Sequence, residues 1–252
     1  MSADSPGAIS LRGKRALVTG GAVRVGRAIA LALASAGADV AVHYHSSAEA
    51  AQATCAEIRA LGRSCVLVEA DQGMEGGPER LVAEAAAGLG GLDLLVLSAA
   101  EFEKAPAIDL DRARFEAMLA TNLVGPFLIA RAAHPHLKAS RGAIVTLLDV
   151  CGTSQVWKGY AHYAAAKAGL AALTRLLALE WAPEIRVNGV APGTVLAPAD
   201  TTPEGHERLV RRIPLGREGE PADVARAVLF LLAQPFITGQ ILGVDGGRSV
   251  DP

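Results

Sequence analysis

Tyr163 and Lys167 carry the most direct sign of chemistry in this sequence of 252 residues. They are four positions apart, so on a helix they project from one face, and the Lys ammonium can hold the Tyr phenol close to ionisation. A phenol whose pKa is lowered in this way is a proton donor, which the reduction of a polarised double bond requires. The pair therefore predicts a reductase in which Tyr163 supplies the proton.

Asp149 stands a little before this pair, where a hydroxyl-bearing residue would be the ordinary expectation. A carboxyl group there points to a substrate with ring nitrogens and an amino group, because such a group can pair with or protonate a heterocycle. Its neighbours are charged as well, so the set is expected to titrate together. Cys151 could line the same pocket, but no basic neighbour in the sequence would activate its thiol.

Seven short apolar runs alternate with Ala- and Leu-rich stretches of helical character. With 51% hydrophobic residues and 27 glycines, the chain suits one α/β domain built from a βαβ series, with a doubly wound, mostly parallel sheet. The predicted strands are Lys14–Thr19, Asp39–Tyr44, Cys65–Glu69, Asp93–Ser98, Gly142–Leu148, Arg186–Ala191 and Gln240–Val244.

A glycine cluster follows the first of these runs. Gly20, Gly21 and Gly26 lie between the predicted strand and a helix predicted to begin near Arg27. Glycines in this context let backbone N–H groups and a helix N-terminus approach a pyrophosphate, so the turn predicts a Rossmann-type nucleotide site. Arg24 occupies the middle glycine position and is expected to point over the phosphates or the substrate, with a solvated surface arginine as the alternative.

The end of the second predicted strand decides which dinucleotide is expected. An NAD-selective enzyme usually has an acidic residue here, whereas this chain has Tyr44 and no acid before Glu49. Neutral hydroxyls, imidazole and backbone N–H groups can accept a phosphate, so NADPH is favoured. Asp71 can bond the adenine amino group or cap the following turn. The residues predicted to bind this end of the cofactor are Tyr44, His45, Ser46, Ser47 and Asp71, while His43 could equally face the core.

Composition and charge exclude several classes of partner. The formal net charge is −2 and no stretch concentrates Lys and Arg, so neither nucleic acid nor an anionic membrane surface is expected. No apolar run has membrane-spanning length. Residues 1–10 lack a basic start and an apolar core, which predicts a short disordered tail before a domain of residues 11–252 and no secretion signal.

Two further expectations come from the remaining sequence. The odd number of cysteines, without metal-ligand spacing, favours reduced, buried thiols in a cytoplasmic protein and no metal site. The long stretch at about 192–214 contains four prolines and is predicted to be an irregular substrate loop.

The motifs taken in order resemble the short-chain dehydrogenase/reductase family over essentially the whole chain. Within that family the sequence is most similar to the pteridine reductases, whose glycine turn has the form T-G-x-x-x-R-x-G. The matching segments are Thr19–Gly26, His43-Tyr44-His45, Asp149, Gly159–Tyr163, Pro192-Gly193 and Val244–Gly247. Asp149 lies one residue further from Tyr163 than the family pattern has it, which implies a bulge between them.

This resemblance implies hydride transfer from NADPH to a C=N bond of a pterin, with Tyr163 as proton donor. Lys167 would bind the nicotinamide ribose, Asn122 would kink a helix and hold a relay water, and Phe102 would stack on the pterin. Further cofactor contacts implied are Val25, Ser98, Ala99, Pro192 and Gly193, with Ser98 replacing part of an Asn amide and Ser46 standing where the relatives have an Arg. The substrate would be held by Arg24, Phe102, Asp149 and Tyr163.

The resemblance also bears on assembly. The helix predicted from about Ala161 to Trp181 is apolar almost all round, so it needs cover on a second side. Relatives commonly form tetramers through this helix, which implies a homo-oligomer, with a tetramer expected.

Two other functions stay open at this point. The first is a carbonyl reductase, acting on a 3-oxoacyl thioester or a small ketone, in which Thr153 or Ser154 supplies the hydroxyl and Asp149 is incidental. The second is a cofactor-binding regulator without turnover. It is disfavoured because Tyr163, Lys167 and Asn122 are all present.

Overall fold

A seven-stranded parallel sheet forms the centre of the protein, in a computed structural model that describes residues 9–196 and 201–250. The strand order is β3-β2-β1-β4-β5-β6-β7, and every neighbouring pair is parallel. This confirms the predicted single α/β domain of Rossmann type. The strands are β1 Arg15–Val18, β2 Asp39–Tyr44, β3 Cys65–Glu69, β4 Leu94–Leu97, β5 Ala143–Leu147, β6 Arg186–Pro192 and β7 Ile241–Val244.

Side chains alternate between the two faces of the sheet, and each face has its own apolar core. In β1, Ala16 and Val18 belong to one core cluster, whereas Leu17 belongs to the other. Both faces are buried because helices cover both, which explains why the strands read as continuous apolar runs rather than as alternating ones. The helices are α1 Arg24–Ser35, α2 Ala48–Ala60, α3 Gly77–Leu89, α4 Arg112–Leu119, α5 Gly125–Ser140, α6 Val150–Thr153, α7 Ala161–Glu180, α8 Pro203–Val210 and α9 Pro221–Ala233.

Five strands differ from their predicted bounds by one residue at one or both ends, and three further differences are larger. The first helix begins at Arg24, three residues before the predicted start. Residues 1–8 of the predicted tail lie outside the described residues, while Ile9 packs against the core and does not belong to a free tail. The predicted irregular loop contains the helix α8, which begins with a Thr202 side-chain cap; residues 197–200 of that loop lie outside the described residues.

The predicted site residues lie where the parallel strands end. The chain runs from β1 outward to β2 and β3, and then crosses to β4 on the other side of β1. The carboxyl edge beside β1 and β4 is therefore a topological switch point, where crossover connections diverge and leave a crevice for a ligand. The segments after β1, β2, β4, β5 and β6 all reach this one edge.

Within the described ranges, no helix is both long and apolar enough to cross a bilayer. The same part of the chain has no group of three or more His, Cys, Asp or Glu side chains that could hold a metal ion.

Candidate functional site

The glycine turn after β1 is built by close backbone approach. A Cβ on Gly26 would lie 2.0 Å from the carbonyl oxygen of Gly20, so no larger residue fits at this position in the first turn of α1. The Gly20 N–H donates to Nδ1 of the buried His43 at 3.1 Å, and Nε2 of the same ring lies 3.0 Å from the carbonyl oxygen of Ala70. His43 therefore links the glycine turn to the end of β3. Of its two predicted positions, cofactor-binding or facing the core, the structure shows the one facing the core.

Arg24 occupies a position that glycine adopts more easily. Its φ of 51° lies in the left-handed region, which costs a non-glycine residue about 1–2 kcal/mol. Its guanidinium donates to the carbonyl oxygen of Leu196 at 3.0 Å. Arg24 therefore connects the glycine turn to the first residues of the loop after β6 and stands at the mouth of the crevice.

The end of β2 has an acidic neighbour that sequence reading missed. The Tyr44 hydroxyl donates to a carboxylate oxygen of Glu69 at 3.2 Å, because Tyr44 and Glu69 are partners in the β2–β3 register. Nε2 of the exposed His45 lies 4.0 Å from Asp71, whose other oxygen accepts the Gly73 N–H at 2.8 Å. Asp71 thus caps the turn after β3, which is one of its two predicted roles.

Thr19 joins the ends of β1 and β4. Its hydroxyl oxygen accepts the N–H groups of Ser98 and Ala99 at 2.9 and 3.0 Å. The side-chain amide of Gln72 donates to the Ala99 carbonyl oxygen at 3.2 Å. The backbone at Ser98-Ala99 is held by these bonds, so the smaller Ser98 side chain does not leave the segment unanchored.

Asn122 is buried in a π-helical turn, Ala120–Val124, which interrupts the path from α4 to α5. Its side chain accepts the Glu101 N–H at 2.9 Å and donates to the Glu101 carbonyl oxygen at 2.8 Å. The predicted helix distortion is present. The amide therefore holds the backbone at Glu101, the residue before Phe102.

Asp149 and Tyr163 are in direct contact. The Tyr163 hydroxyl donates to Asp149 Oδ2 at 2.9 Å, and Asp149 Oδ1 accepts the Cys151 N–H at 2.7 Å. Between the two residues, α6 leaves helical geometry at Cys151 and Gly152 and forms a local bulge. Gly152 has a φ of 95°, and a Cβ there would lie 2.5 Å from the Ala164 carbonyl oxygen, so this bulge requires glycine.

Burial controls the charges at this contact. It raises the pKa of the Asp149 carboxyl, against the lowering by the Cys151 N–H, Tyr163, Lys167 and Arg248. Burial and the adjacent carboxylate together raise the pKa of Tyr163 well above its ordinary value. The prediction that Lys167 brings this phenol close to ionisation is therefore wrong for this arrangement.

Lys167 lies under the pair rather than against the phenol oxygen. Its ammonium donates to the Leu147 carbonyl oxygen at 2.8 Å and is 5.7 Å from the centre of the Tyr163 ring. Burial lowers the pKa of Lys167 to about 8, and the attraction of Asp149 opposes that shift. Asp149, at the N-cap of α6, interacts electrostatically with both Tyr163 and Lys167 of α7.

The neighbouring groups of α6 are occupied elsewhere. The Thr153 hydroxyl donates to the Asp149 carbonyl oxygen at 2.6 Å, and the Ser154 hydroxyl donates to that of Val150 at 3.4 Å. Tyr163 thus has a carboxylate partner, and these two hydroxyls bond backbone carbonyls. Cys151 is fully buried, and burial raises the pKa of its thiol to about 11, which makes it unreactive.

Aromatic rings line the crevice above Tyr163. Phe102 is about half exposed, stacks on Tyr160 with centroids 4.7 Å apart, and meets Tyr163 edge-on at 4.9 Å. Trp157 contacts Tyr160 at 6.0 Å. The partly exposed Phe102 ring, next to Tyr163, offers an aromatic surface on which a flat ring could stack.

Arg248 was not foreseen as a site residue. Its guanidinium lies 4.7 Å from the centre of the Trp157 ring and donates to the Thr194 hydroxyl. It is buried, and it is close enough to Asp149 to act on the pKa of that carboxyl. No local sequence motif marks Arg248, because it lies 99 positions after Asp149. The two residues come near each other only because the chain folds back at the ends of β6 and β7.

The sequence profile of the family described as Enoyl-(Acyl carrier protein) reductase matches residues 21–249, nearly the whole chain. The chain belongs to the short-chain dehydrogenase/reductase family. Among curated members, 3-oxoacyl-(acyl-carrier-protein) reductase FabG of Staphylococcus aureus is 36% identical over 240 residues, covering 93% of this chain and 97% of that protein. A tropinone reductase homolog of Arabidopsis thaliana is 37% identical over 251 residues, covering 96% and 94%.

Solved members of this short-chain dehydrogenase/reductase family have the same fold. A short-chain dehydrogenase from Burkholderia cenocepacia J2315, in complex with NADP, has a TM-score of 0.89 and 38% identity, covering 94% of this chain and 98% of that one. A dehydrogenase/reductase from Sinorhizobium meliloti 1021 has a TM-score of 0.89 and 40% identity, covering 96% and 97%. These similarities show the family and do not show a particular closeness to the pteridine reductases.

Proposed function

We propose that the protein is an NADPH-dependent reductase of a C=N bond in a pterin, such as a dihydropterin or dihydrofolate. The observation that carries this proposal is the contact of Asp149 with the Tyr163 hydroxyl at 2.9 Å, below the half-exposed ring of Phe102. A carboxyl group can pair with ring N–H and amino groups, and an aromatic face can stack on a bicyclic ring. A simple ketone would use neither feature.

The residues at the carboxyl edge fit a dinucleotide. The turn has no room for a side chain at Gly20 or Gly26, and α1 begins within it at Arg24, as pyrophosphate binding requires. A short-chain dehydrogenase at 38% identity binds NADP, which supports the same cofactor here. The residues that would hold it are Gly20, Arg24, Val25, Gly26, Tyr44, His45, Ser46, Ser47, Asp71, Ser98, Ala99, Tyr163, Lys167, Pro192 and Gly193.

The chain's own part in the reaction is to place the substrate and to move one proton. NADPH, when bound, would supply the hydride. Tyr163 holds a proton on its hydroxyl oxygen, and the raised pKa of Asp149 keeps a second proton available at higher pH than an exposed carboxyl would. If Tyr163 gives its proton to the ring nitrogen, the buried ammonium of Lys167 opposes the phenolate charge, and a protonated Asp149 can donate to that phenolate.

A carbonyl reductase is the second candidate, and the relatives favour it. The Staphylococcus aureus and Arabidopsis thaliana proteins are named for a 3-oxoacyl reductase and a tropinone reductase homolog. Against this reading, Thr153 and Ser154 bond backbone carbonyls, and Tyr163 bonds a carboxylate. A ketone would therefore be oriented by Tyr163 without a neighbouring alcohol.

The protein is also proposed to act as a homo-oligomer through α7. Leu176 and Leu179 of this helix are exposed, at 46% and 78%, although nine other residues of α7 are buried. A second apolar surface covering them would remove this area from water. Sedimentation of the purified protein measures its oligomeric state. The proposal expects a homo-oligomer, such as a tetramer, and a monomer would contradict it.

The test is NADPH consumption by the purified protein with dihydrobiopterin, dihydrofolate, an acetoacetyl thioester and a small cyclic ketone. The proposal expects the highest kcat/KM with one of the two pterins. Reduction of the thioester or ketone, with no turnover of either pterin, would replace the pterin proposal by the carbonyl one. Tight NADPH binding with no turnover of any substrate would favour a regulator.

A further inference from the structure

Arg248 is a buried cation without an ion pair among the described residues. Only 5% of the residue is exposed, and within residues 9–196 and 201–250 no carboxylate lies within 4.0 Å of its guanidinium. One of its N–H groups donates to the Thr194 hydroxyl, and the guanidinium also makes a cation–π contact with the Trp157 ring. Burying a charge without a counter-ion is costly, so a position of this kind calls for a function.

The two carboxylates near Arg248 are already engaged. Asp149 accepts from Cys151 and Tyr163. Asp245 accepts the Gly247 N–H on one oxygen at 2.9 Å and the Ser249 N–H on the other at 2.7 Å. Both carboxylates attract Arg248, but neither lies within 4.0 Å of its guanidinium. Within the described part of the chain, Arg248 thus has no carboxylate in ion-pair contact, and an anion that enters the crevice would supply one.

Arg212 adds a second positive charge beside Arg248. The Leu215 N–H donates to the Gly246 carbonyl oxygen at 3.1 Å, which packs the end of the 192–214 loop against the turn that carries Arg248. The two guanidinium groups are close enough for their repulsion to contribute to a lowered pKa of Arg248, after burial as the main cause. Arg212 is exposed and forms no ion pair within the described ranges.

The positive charge continues outward from this pair along α8. A groove of about 540 Å³ there is lined in part by three arginines, Arg208, Arg211 and Arg212. Of these, Arg211 is engaged with Glu207 at 3.3 Å. Arg212 therefore belongs both to this groove and to the pair with the buried Arg248.

We propose that Arg248 and Arg212 bind a carboxylate on the substituent of the substrate, so that the preferred substrate is an anionic one. The inference rests on the proposed function and narrows it to pterins with a carboxylate-bearing tail, such as dihydrofolate, over pterins with a neutral side chain. A guanidinium fork pairs well with a carboxylate, and a cation buried beforehand loses little solvation when the anion arrives.

The kinetic test compares two substrates that share the ring and differ in tail charge. In Arg248→Gln, KM for dihydrofolate should rise about tenfold or more, and in Arg212→Gln several-fold, while KM for dihydrobiopterin stays within about twofold. Arg248→Lys, which keeps the charge, should recover part of the loss. Arg226→Gln removes an exposed arginine of α9 and is the matched control, with no effect expected on either substrate.

Equal losses on both substrates would show that Arg248 only supports the fold, and no loss on either would also overturn the inference. The Arg212→Gln variant guards against misfolding, because this side chain is exposed.

A binding measurement separates this inference from the proposed function. p-Aminobenzoylglutamate carries the anionic tail without the pterin, and at millimolar concentration it should raise the Tm of the NADP⁺ complex of the wild type but not of Arg248→Gln. Absence of any Tm increase in the wild type would overturn the anion site even if pterins are reduced. A Tm increase without pterin turnover would keep the anion site and remove the pterin function.

Discussion

Replacement of Asp149 by Asn tests the carboxyl group at constant shape. In the wild type, Asp149 Oδ1 accepts the Cys151 N–H at 2.7 Å. An Asn side chain keeps an oxygen for this hydrogen bond, so the bulge at α6 should persist. Beside the Tyr163 hydroxyl, it can neither ionise to a carboxylate nor supply the proton of a carboxylic acid. The variant therefore removes the acid–base property and leaves the local backbone intact.

The size of the effect follows from what is lost. A hydrogen bond to a charged group contributes about 1.5–3 kcal/mol. A positioned acid–base group contributes at least about a hundredfold in rate, which is about 2.7 kcal/mol. The two free energies are of the same size. We therefore expect kcat/KM for a dihydropterin to fall about a hundredfold in Asp149→Asn and in Asp149→Ser. Activity on ketones should be kept or raised in Asp149→Ser, which supplies a hydroxyl.

The assay is NADPH oxidation with matched pterin and ketone substrates, and thermal unfolding is the control for folding. Since the charged form of Asp149 is penalised by burial, the neutral Asn should leave Tm within about 4 °C of the wild type, the shift that about 1 kcal/mol gives in a chain of this size. Thr153→Ala is the matched variant, and its pterin activity should be unchanged. Full pterin turnover in Asp149→Asn, or a loss in Thr153→Ala equal to that of Asp149→Asn, would refute the reasoning.

Four other outcomes are expected. Tyr163→Phe and Lys167→Ala should each abolish most turnover, and the double variant should lose little more, because the two act at one proton-transfer step; undiminished kcat in Tyr163→Phe would contradict this. Titration should show that NADPH binds at least tenfold more tightly than NADH, about 1.4 kcal/mol, and that Tyr44→Asp erases the preference; equal wild-type affinities would show the cofactor argument to be wrong. Phe102→Ala should raise Kd for a dihydropterin far more than Kd for NADPH, measured by fluorescence titration, and a parallel loss of both would indicate a structural role. In the free enzyme, kcat/KM should fall as pH rises through about 8, because the buried Lys167 loses its proton there. In Lys167→Arg, the remaining activity should not show this fall at alkaline pH. A pH-independent profile up to pH 10 would exclude the need for a charged Lys167.

Local pattern was sufficient for the elements of the sheet. The β2 and β3 ranges agree with their predicted bounds, because a strand buried on both faces must be a short run of apolar residues and such runs are bounded by polar or glycine residues. The glycine turn was equally readable, since its steric requirement lies within seven consecutive residues. Family motifs in fixed order then identified the family, which the comparisons confirm.

Contacts between distant segments could not be read in this way. Tyr44 meets Glu69 because two parallel strands pair in one register, and Asn122 clamps Glu101 because the helix after α4 is distorted. The pKa of Tyr163 is raised rather than lowered, because burial and the exact place of the carboxylate outweigh a Lys that four-residue spacing had placed nearby.

The sequence by itself determined which residue types stand at the ends of the strands, and therefore the fold, the nucleotide turn and the Tyr163–Lys167 pair. Only the tertiary structure decided which of them touch. Arg248 shows the difference most clearly, because its burial beside Trp157 and Thr194 depends on the packing of the β6 and β7 ends. Electrostatic energies depend on distance and burial, and both are set by contacts between residues far apart in the chain.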